Sequence, residues 1–244
     1  MEPLLIRERY KIVRMIGRQP DYALLEAVDI FDRETSSRLI NLYEGAHLRR
    51  YARLCSEINT EECPDFCGMF LEQGALAAVF DLAVGEPIDR LFYRGDVWSW
   101  QDRLRYAELI LNLALSMANL PPELSCAALC SDNILIDINA HRAGIRWMLR
   151  PMEEMKQRET ALMAADQVRK ILPPTLRAGK EERKFLDELE AGAFHSVVAL
   201  YGRWREAEQA IRREREEFDS LNFLRRGFIL CGRAIHCGGR RGEG

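Results

Sequence analysis

The chain has 244 residues, of which 48% are hydrophobic and 30% charged, with a formal net charge of -3. That length suits one large domain or two lobes sharing a cleft. The composition is that of an ordinary globular protein, and the charge exerts no global pull toward nucleic acid or an anionic membrane.

The basic charge is lopsided: 30 Arg stand against five Lys, at Lys11, Lys156, Lys170, Lys180 and Lys184. Glu2, Arg7, Glu8 and Arg9 break up the start, which argues against a secretion signal. No apolar run approaches the roughly 20 residues that a membrane-spanning helix needs. Seven Cys, at 55, 63, 67, 126, 130, 231 and 237, are an odd and scattered set. Without a secretion signal they are expected as reduced thiols, and the expected compartment is the cytoplasm.

The first third alternates strand-like runs with turns. Tyr10–Ile16, Tyr22–Val28 and Arg38–Tyr43 each fit a strand, bounded by Gly17 and Pro20, by the polar run 32–37 and by Gly45. A helix over Ala46–Ile58 follows, with Leu48, Tyr51, Ala52, Cys55 and Ile58 on one face. Phe66–Leu71 and Leu76–Phe80 are two more strands. From Gly85 the pattern turns helical. Pro87–Phe92 predicts a short helix, and Ser99-Trp-Gln-Asp102 opens a longer one in the manner of a capping box. That helix is expected to reach Leu120, where Pro121-Pro122 stops it. A hairpin of 134–136 with 145–149 comes next, then helices near 159–172, 181–191 and 194–218.

Ser125-Cys-Ala-Ala-Leu-Cys-Ser-Asp-Asn133 leads into the apolar Ile134-Leu-Ile136. This stretch resembles a protein-kinase catalytic loop, H-R-D-L-x-x-x-N, with Cys126, Ala127 and Ala128 in place of His, Arg and Asp. The order of elements also resembles the bilobal protein-kinase fold, from about Tyr10 to about Phe218. Laid onto that family, the motifs are damaged. The Gly-rich loop retains Gly17, but Gln19 and Tyr22 replace the other glycines. The strand Lys falls at Asn41 or Leu42, and no Lys occurs between 12 and 155. Glu57 stands about where the helix Glu that pairs with this Lys would lie, or is simply a solvated carboxylate. Val79–Ile88 resembles the hinge, with Phe80 as the gatekeeper. The metal-binding Asp of D-F-G falls at Leu149, and no Asp occurs from 138 to 165. Asp166 resembles the helix Asp that holds the catalytic loop, or else is a helix-start carboxylate. Phosphoryl transfer rests on Lys, Asp and Mg²⁺, so with these losses the chain resembles a degenerate member of the superfamily, a pseudokinase, and the resemblance is to the bacterial Ser/Thr-kinase-like type.

Other constellations compete. Cys63/Cys67 and Cys126/Cys130 form two C-x₃-C pairs, which four-thiolate zinc could use, although zinc pairs favour a two-residue spacer. No metal site is expected. The charged half of the last helix is either solvated or a partner seam through Ala207, Ile211 and Phe218. The Gly/Arg-rich tail is expected to be flexible.

The expected class is therefore α+β: a five-stranded antiparallel N-lobe with one helix over 8–84, a mainly helical C-lobe over 85–219, and a tail over 220–244. The expected role is a catalytically inactive scaffold or regulatory module with a protein partner, no nucleic acid and no membrane span. Weak nucleotide-cleft candidates are Gly17, Phe80, Asp81, Ala83 and Asn133. The catalytic positions are degenerate at Asn41, Ala128 and Leu149, and neither ATP nor Mg²⁺ is expected as a cofactor. The alternatives are a divergent phosphoryl or nucleotidyl transferase using Asp132 or Glu57, and an unrelated α+β protein without a hinge at 81–85.

Overall fold

Alternation of apolar side chains builds the first third of the chain into a sheet. The structure, a computed structural model, describes residues 5–32, 37–92, 98–221, 225–227 and 229–231. Strands β1 (Leu5–Ile6), β2 (Tyr10–Gln19), β3 (Tyr22–Asp29), β4 (Ser37–Tyr43), β5 (Phe66–Glu72) and β6 (Ala75–Asp81) form one antiparallel sheet in the order β1-β2-β3-β4-β6-β5. Five long strands match the expectation, and the two-residue β1 is an addition at the edge.

Side chains two apart share a face. Leu24, Leu39, Tyr43, Leu76, Ala78 and Phe80 face inward and join the main core, whereas Leu25, Ala27, Ile40, Ala77 and Val79 make a smaller cluster on the other face. Asn41, between Leu39 and Tyr43 in this alternation, therefore lies on the inner face. Helix α1 (Gly45–Ser56) buries Tyr51, Leu54 and Cys55.

Gly85 turns the chain into the second lobe at φ +152°, where a Cβ would lie 2.9 Å from the carbonyl of Ile136. Only glycine tolerates both demands. Short strand β7 (Glu86–Pro87) and helix α2 (Ile88–Phe92) lead to α3 (Trp100–Ser116). The Ser99 hydroxyl accepts from the Asp102 amide at 3.1 Å, so the predicted cap is real. Ser99→Ala is expected to lower the unfolding free energy by about 1 kcal/mol, measured by urea denaturation.

Two expectations need correction. The stop at Pro121-Pro122 is also a start: α3 ends at Ser116, and Pro122 opens a new helix, α4 (Pro122–Ala128). Proline suits a first helical turn because its missing N–H has no partner there anyway. The loop-like stretch 125–128 is thus helical. The second strand of the hairpin also lies earlier than expected: β8 (Ile134–Asp137) pairs with β9 (Arg142–Ile145), and of the expected 145–149 only Ile145 takes part. Residues 146–152 leave the hairpin and run along the junction of the lobes.

Helices α5 (Gln157–Ile171), α6 (Lys180–Glu190) and α7 (Val197–Ser220) complete the lobe. The Arg215 guanidinium donates to both Glu182 carboxylate oxygens at 2.7 and 2.6 Å in a buried fork. One apolar core runs through both lobes. Among the described residues no helix is long and apolar enough to cross a membrane. Residues 225–227 and 229–231 are helical, and most of the tail expected to be flexible lies outside the described residues.

Candidate functional site

The junction of the lobes is held by N-lobe side chains gripping the backbone of 147–152. Asn41 is fully buried and bonded on both ends of its amide. Its Nδ2 donates to the Trp147 carbonyl at 2.9 Å, while its Oδ1 accepts from the Leu149 amide and the Tyr22 hydroxyl, each at 2.9 Å. The Tyr43 hydroxyl donates to the Leu149 carbonyl at 2.8 Å. In the second turn of α1, the Tyr51 hydroxyl accepts from the Met152 amide at 3.0 Å, and Arg50 donates to the Met152 carbonyl at 2.7 Å and to Glu123 at 3.1 Å. Tyr43 and Tyr51 stack at 4.1 Å. Burial pushes the Tyr22 and Tyr43 hydroxyls above their ordinary range, so both remain protonated donors.

Behind Asn41 the junction is aromatic. Phe80 is fully buried and its ring lies 5.1 Å from that of Trp147 at 17°. The Trp147 indole N–H donates to Asp65 at 2.9 Å, from the second lobe to the first. Asp81 pairs with Arg38 at 2.7 Å and accepts from the Cys67 thiol at 3.3 Å. Ala83 is half-buried.

Gly17 is exposed, has no positive φ and faces open space, so nothing in the backbone demands glycine there. The segment around it is paired strand, Gly17 with Leu24 and Gln19 with Tyr22, closed by a two-residue Pro20-Asp21 turn with Asp21 at φ 59°.

On the other side, Ala128 and Leu149 are both fully buried. Asn133 is also buried, and its Nδ2 donates to the Ala127 carbonyl at 2.7 Å and the Met148 carbonyl at 3.1 Å. It joins the end of α4 to the segment that Asn41 holds from above. Asn41, Ala128, Asn133 and Leu149 thus converge, whereas Gly17 stands apart on β2.

Two positions differ from the sequence expectation. Asp166 does not reach the loop; it is exposed and pairs with Lys170 at 3.7 Å. Its neighbour Gln167 is buried instead and donates to the Leu129 carbonyl at 3.1 Å. Helical spacing contains this signal, because Gln167 shares the inward face with Thr160, Ala164, Val168 and Ile171. Glu57 is an exposed residue at the C-terminal cap of α1, and the face turned to the sheet presents Tyr51. Asp132 is exposed and lies 3.8 Å from Arg150.

The cysteine pairs lie on separate elements, Cys63/Cys67 at the start of β5 and Cys126/Cys130 at the end of α4. Burial pushes the Cys63 thiol up to about 11 and, with the Asp81 carboxylate beside it, Cys67 up to about 12. Among the described residues no three metal-ligating side chains converge.

No protein-family model matches the chain, and no curated protein matches it in sequence. Solved structures do match in shape. A double mutant of the PknI kinase domain from Mycobacterium tuberculosis aligns at a TM-score of 0.54 with 12% identity, over 88% of this chain and 98% of its own. Rad53 in complex with AMP-PNP aligns at 0.56 with 14% identity, over 80% of this chain and 65% of its own. An apo pseudokinase aligns at 0.52 with 12% identity, over 81% and 92%. The fold is protein-kinase-like. Identity this low speaks for the fold alone. Within it, Asn41 falls on the sheet strand next to α1, Ala128 at the last residue of α4, and Leu149 just beyond the β8–β9 hairpin.

Proposed function

We propose that this kinase-like domain is catalytically inactive and works as a scaffold or regulatory module that binds another protein. One observation carries this reading: the side chains at the three degenerate positions are not only unreactive but buried. Asn41, Ala128 and Leu149 are each 0% exposed. Phosphoryl transfer needs a cation, a base and metal ligands to face a phosphate. An amide committed to the Trp147 and Leu149 backbone, a methyl and an isobutyl group supply none of them. Asn133 is the remaining polar side chain of the set, and a single neutral amide is a poor Mg²⁺ site without carboxylates.

The bonds from Asn41, Tyr43, Tyr51 and Arg50 to 147–152 also tie the lobes at one angle. A fixed surface is what a binding module requires, whereas a kinase needs to open and close around nucleotide.

The test is a thermal-shift titration with ATP and Mg²⁺ alongside a radiolabelled ATP transfer assay on the purified chain. The expected result is no incorporation and a melting temperature unchanged within error up to millimolar ATP. Incorporation abolished by Asp132→Asn would overturn the proposal in favour of a divergent transferase, because Asp132 is the exposed carboxylate beside Asn133. A shift of several degrees without incorporation would leave the domain inactive but nucleotide-sensing.

A further inference from the structure

A cavity of about 370 Å³ lies behind the hinge, between the loop before β5, the α3 helix and the β8–β9 hairpin. That volume is in the range of sites that hold small organic ligands, about 300–1,000 Å³. Its floor is apolar: Leu113 comes from the last turn of α3, Met117 and Leu120 from the turn that follows it, and the Trp147 indole closes one side. Ser116, exposed at the end of α3, stands at the mouth. The hinge residue Ala83 borders it, so its walls come from both lobes.

The charged groups in this wall are of one sign. Asp65 and Glu62 line it, and no Lys or Arg does. Asp65 uses Oδ2 to accept from the Trp147 indole. Among the described residues, neither Asp65 Oδ1 nor the Glu62 carboxylate has a cationic or hydrogen-bonding partner. An apolar chamber with two carboxylates at its edge, neither facing a cation among the described residues, complements a ligand that has a flat or aliphatic body and a cationic head. An anionic ligand would meet repulsion there with no Lys or Arg in the lining to offset it.

We propose that this cavity binds a small organic amine, its ammonium group at Asp65 and Glu62 and its body against Trp147, Met117 and Leu120. Apart from Ala83 the cavity shares none of the nucleotide-cleft candidates or degenerate catalytic positions, so the proposal stands or fails separately from ATP binding. Because the walls come from both lobes, an occupant adds contacts across the hinge. Binding only to the folded state then raises the melting temperature.

The test uses three probes with one body: tryptamine, its neutral analogue 3-ethylindole and the anion indole-3-propionate. Binding is read from the Trp147 indole N–H resonance, assigned with Trp147→Phe, and from the melting temperature. Tryptamine is expected to shift that resonance saturably and to bind at least ten-fold more tightly than indole-3-propionate. Asp65→Asn retains an oxygen to accept the indole N–H and should cut this preference at least three-fold, and the double change with Glu62→Gln should erase it. Ser116→Phe, at the exposed mouth, should abolish binding of all three. Glu62→Gln, on an exposed side chain, should weaken tryptamine two- to three-fold and serves if Asp65→Asn does not fold. Equal affinity for the three probes, no saturable binding by any, or an amine preference that survives the loss of both carboxylates would overturn the proposal.

Discussion

Leu149→Asp, the change that returns an acidic side chain to the position of the family's metal-binding Asp, is expected to destabilise the protein severely and not to awaken it. Leu149 is 0% exposed and packs in the core that joins the two lobes. Removing a buried leucine side chain costs about 2–5 kcal/mol. The new carboxyl group must also be desolvated, which holds its pKa above the unfolded value of about 3.9. A total loss of about 5 kcal/mol would consume much of the roughly 5–15 kcal/mol that stabilises a domain of this kind. The two costs separate by pH. A group with a raised folded-state pKa binds more protons folded than unfolded, so the deficit grows as pH rises above about 4 and levels off above the folded-state pKa. Leu149→Asn pays the cavity and polarity costs without that slope. Urea denaturation of both variants from pH 4 to pH 8 measures the difference. A stable Leu149→Asp protein with no pH dependence would mean that position 149 is open to water.

The same reasoning separates what the sequence makes legible from what it hides. Strand alternation around Leu39-Ile-Asn41-Leu-Tyr43, the cap at Ser99 and the turn at Gly85 are short-range features. Each is written in a few adjacent residues, and the structure has each where the sequence puts it. The absence of Lys between 12 and 155 is equally local and independent of alignment. The hidden parts are long-range or depend on a choice between neighbours. Pro122 reads as a breaker, but a proline that ends one helix can open the next. Asp166 and Gln167 are adjacent, and family resemblance favoured the acidic one. Helical phase puts the amide inward, beneath the Leu129 carbonyl. That Asn41 reaches the backbone of residues 147 and 149 depends on how the lobes dock, and no spacing in the chain encodes it.

Asn41→Ala then tests the docking itself. The asparagine amide makes three buried bonds, to Tyr22, Trp147 and Leu149. Truncation leaves a hydroxyl, a carbonyl and an amide N–H without partners in a place water does not reach. An unsatisfied buried group costs about 1–3 kcal/mol. With partial relaxation the expected loss is about 3 kcal/mol, large for a substitution that removes only a small polar side chain. The loss should also have a location. Amide exchange of Leu149, whose N–H donates to Asn41, should accelerate far more than exchange in the α5 or α7 interior, since local opening at the junction would precede global unfolding. Tyr43→Phe removes a single bond to the same segment, from the hydroxyl to the Leu149 carbonyl, and should cost about 1 kcal/mol. Because both side chains hold one segment, the double variant should lose less than the sum of the two single losses by at least 0.5 kcal/mol. Additive losses would mean that Asn41 and Tyr43 act independently, and that the segment over 147–152 is not clamped as one unit between the lobes.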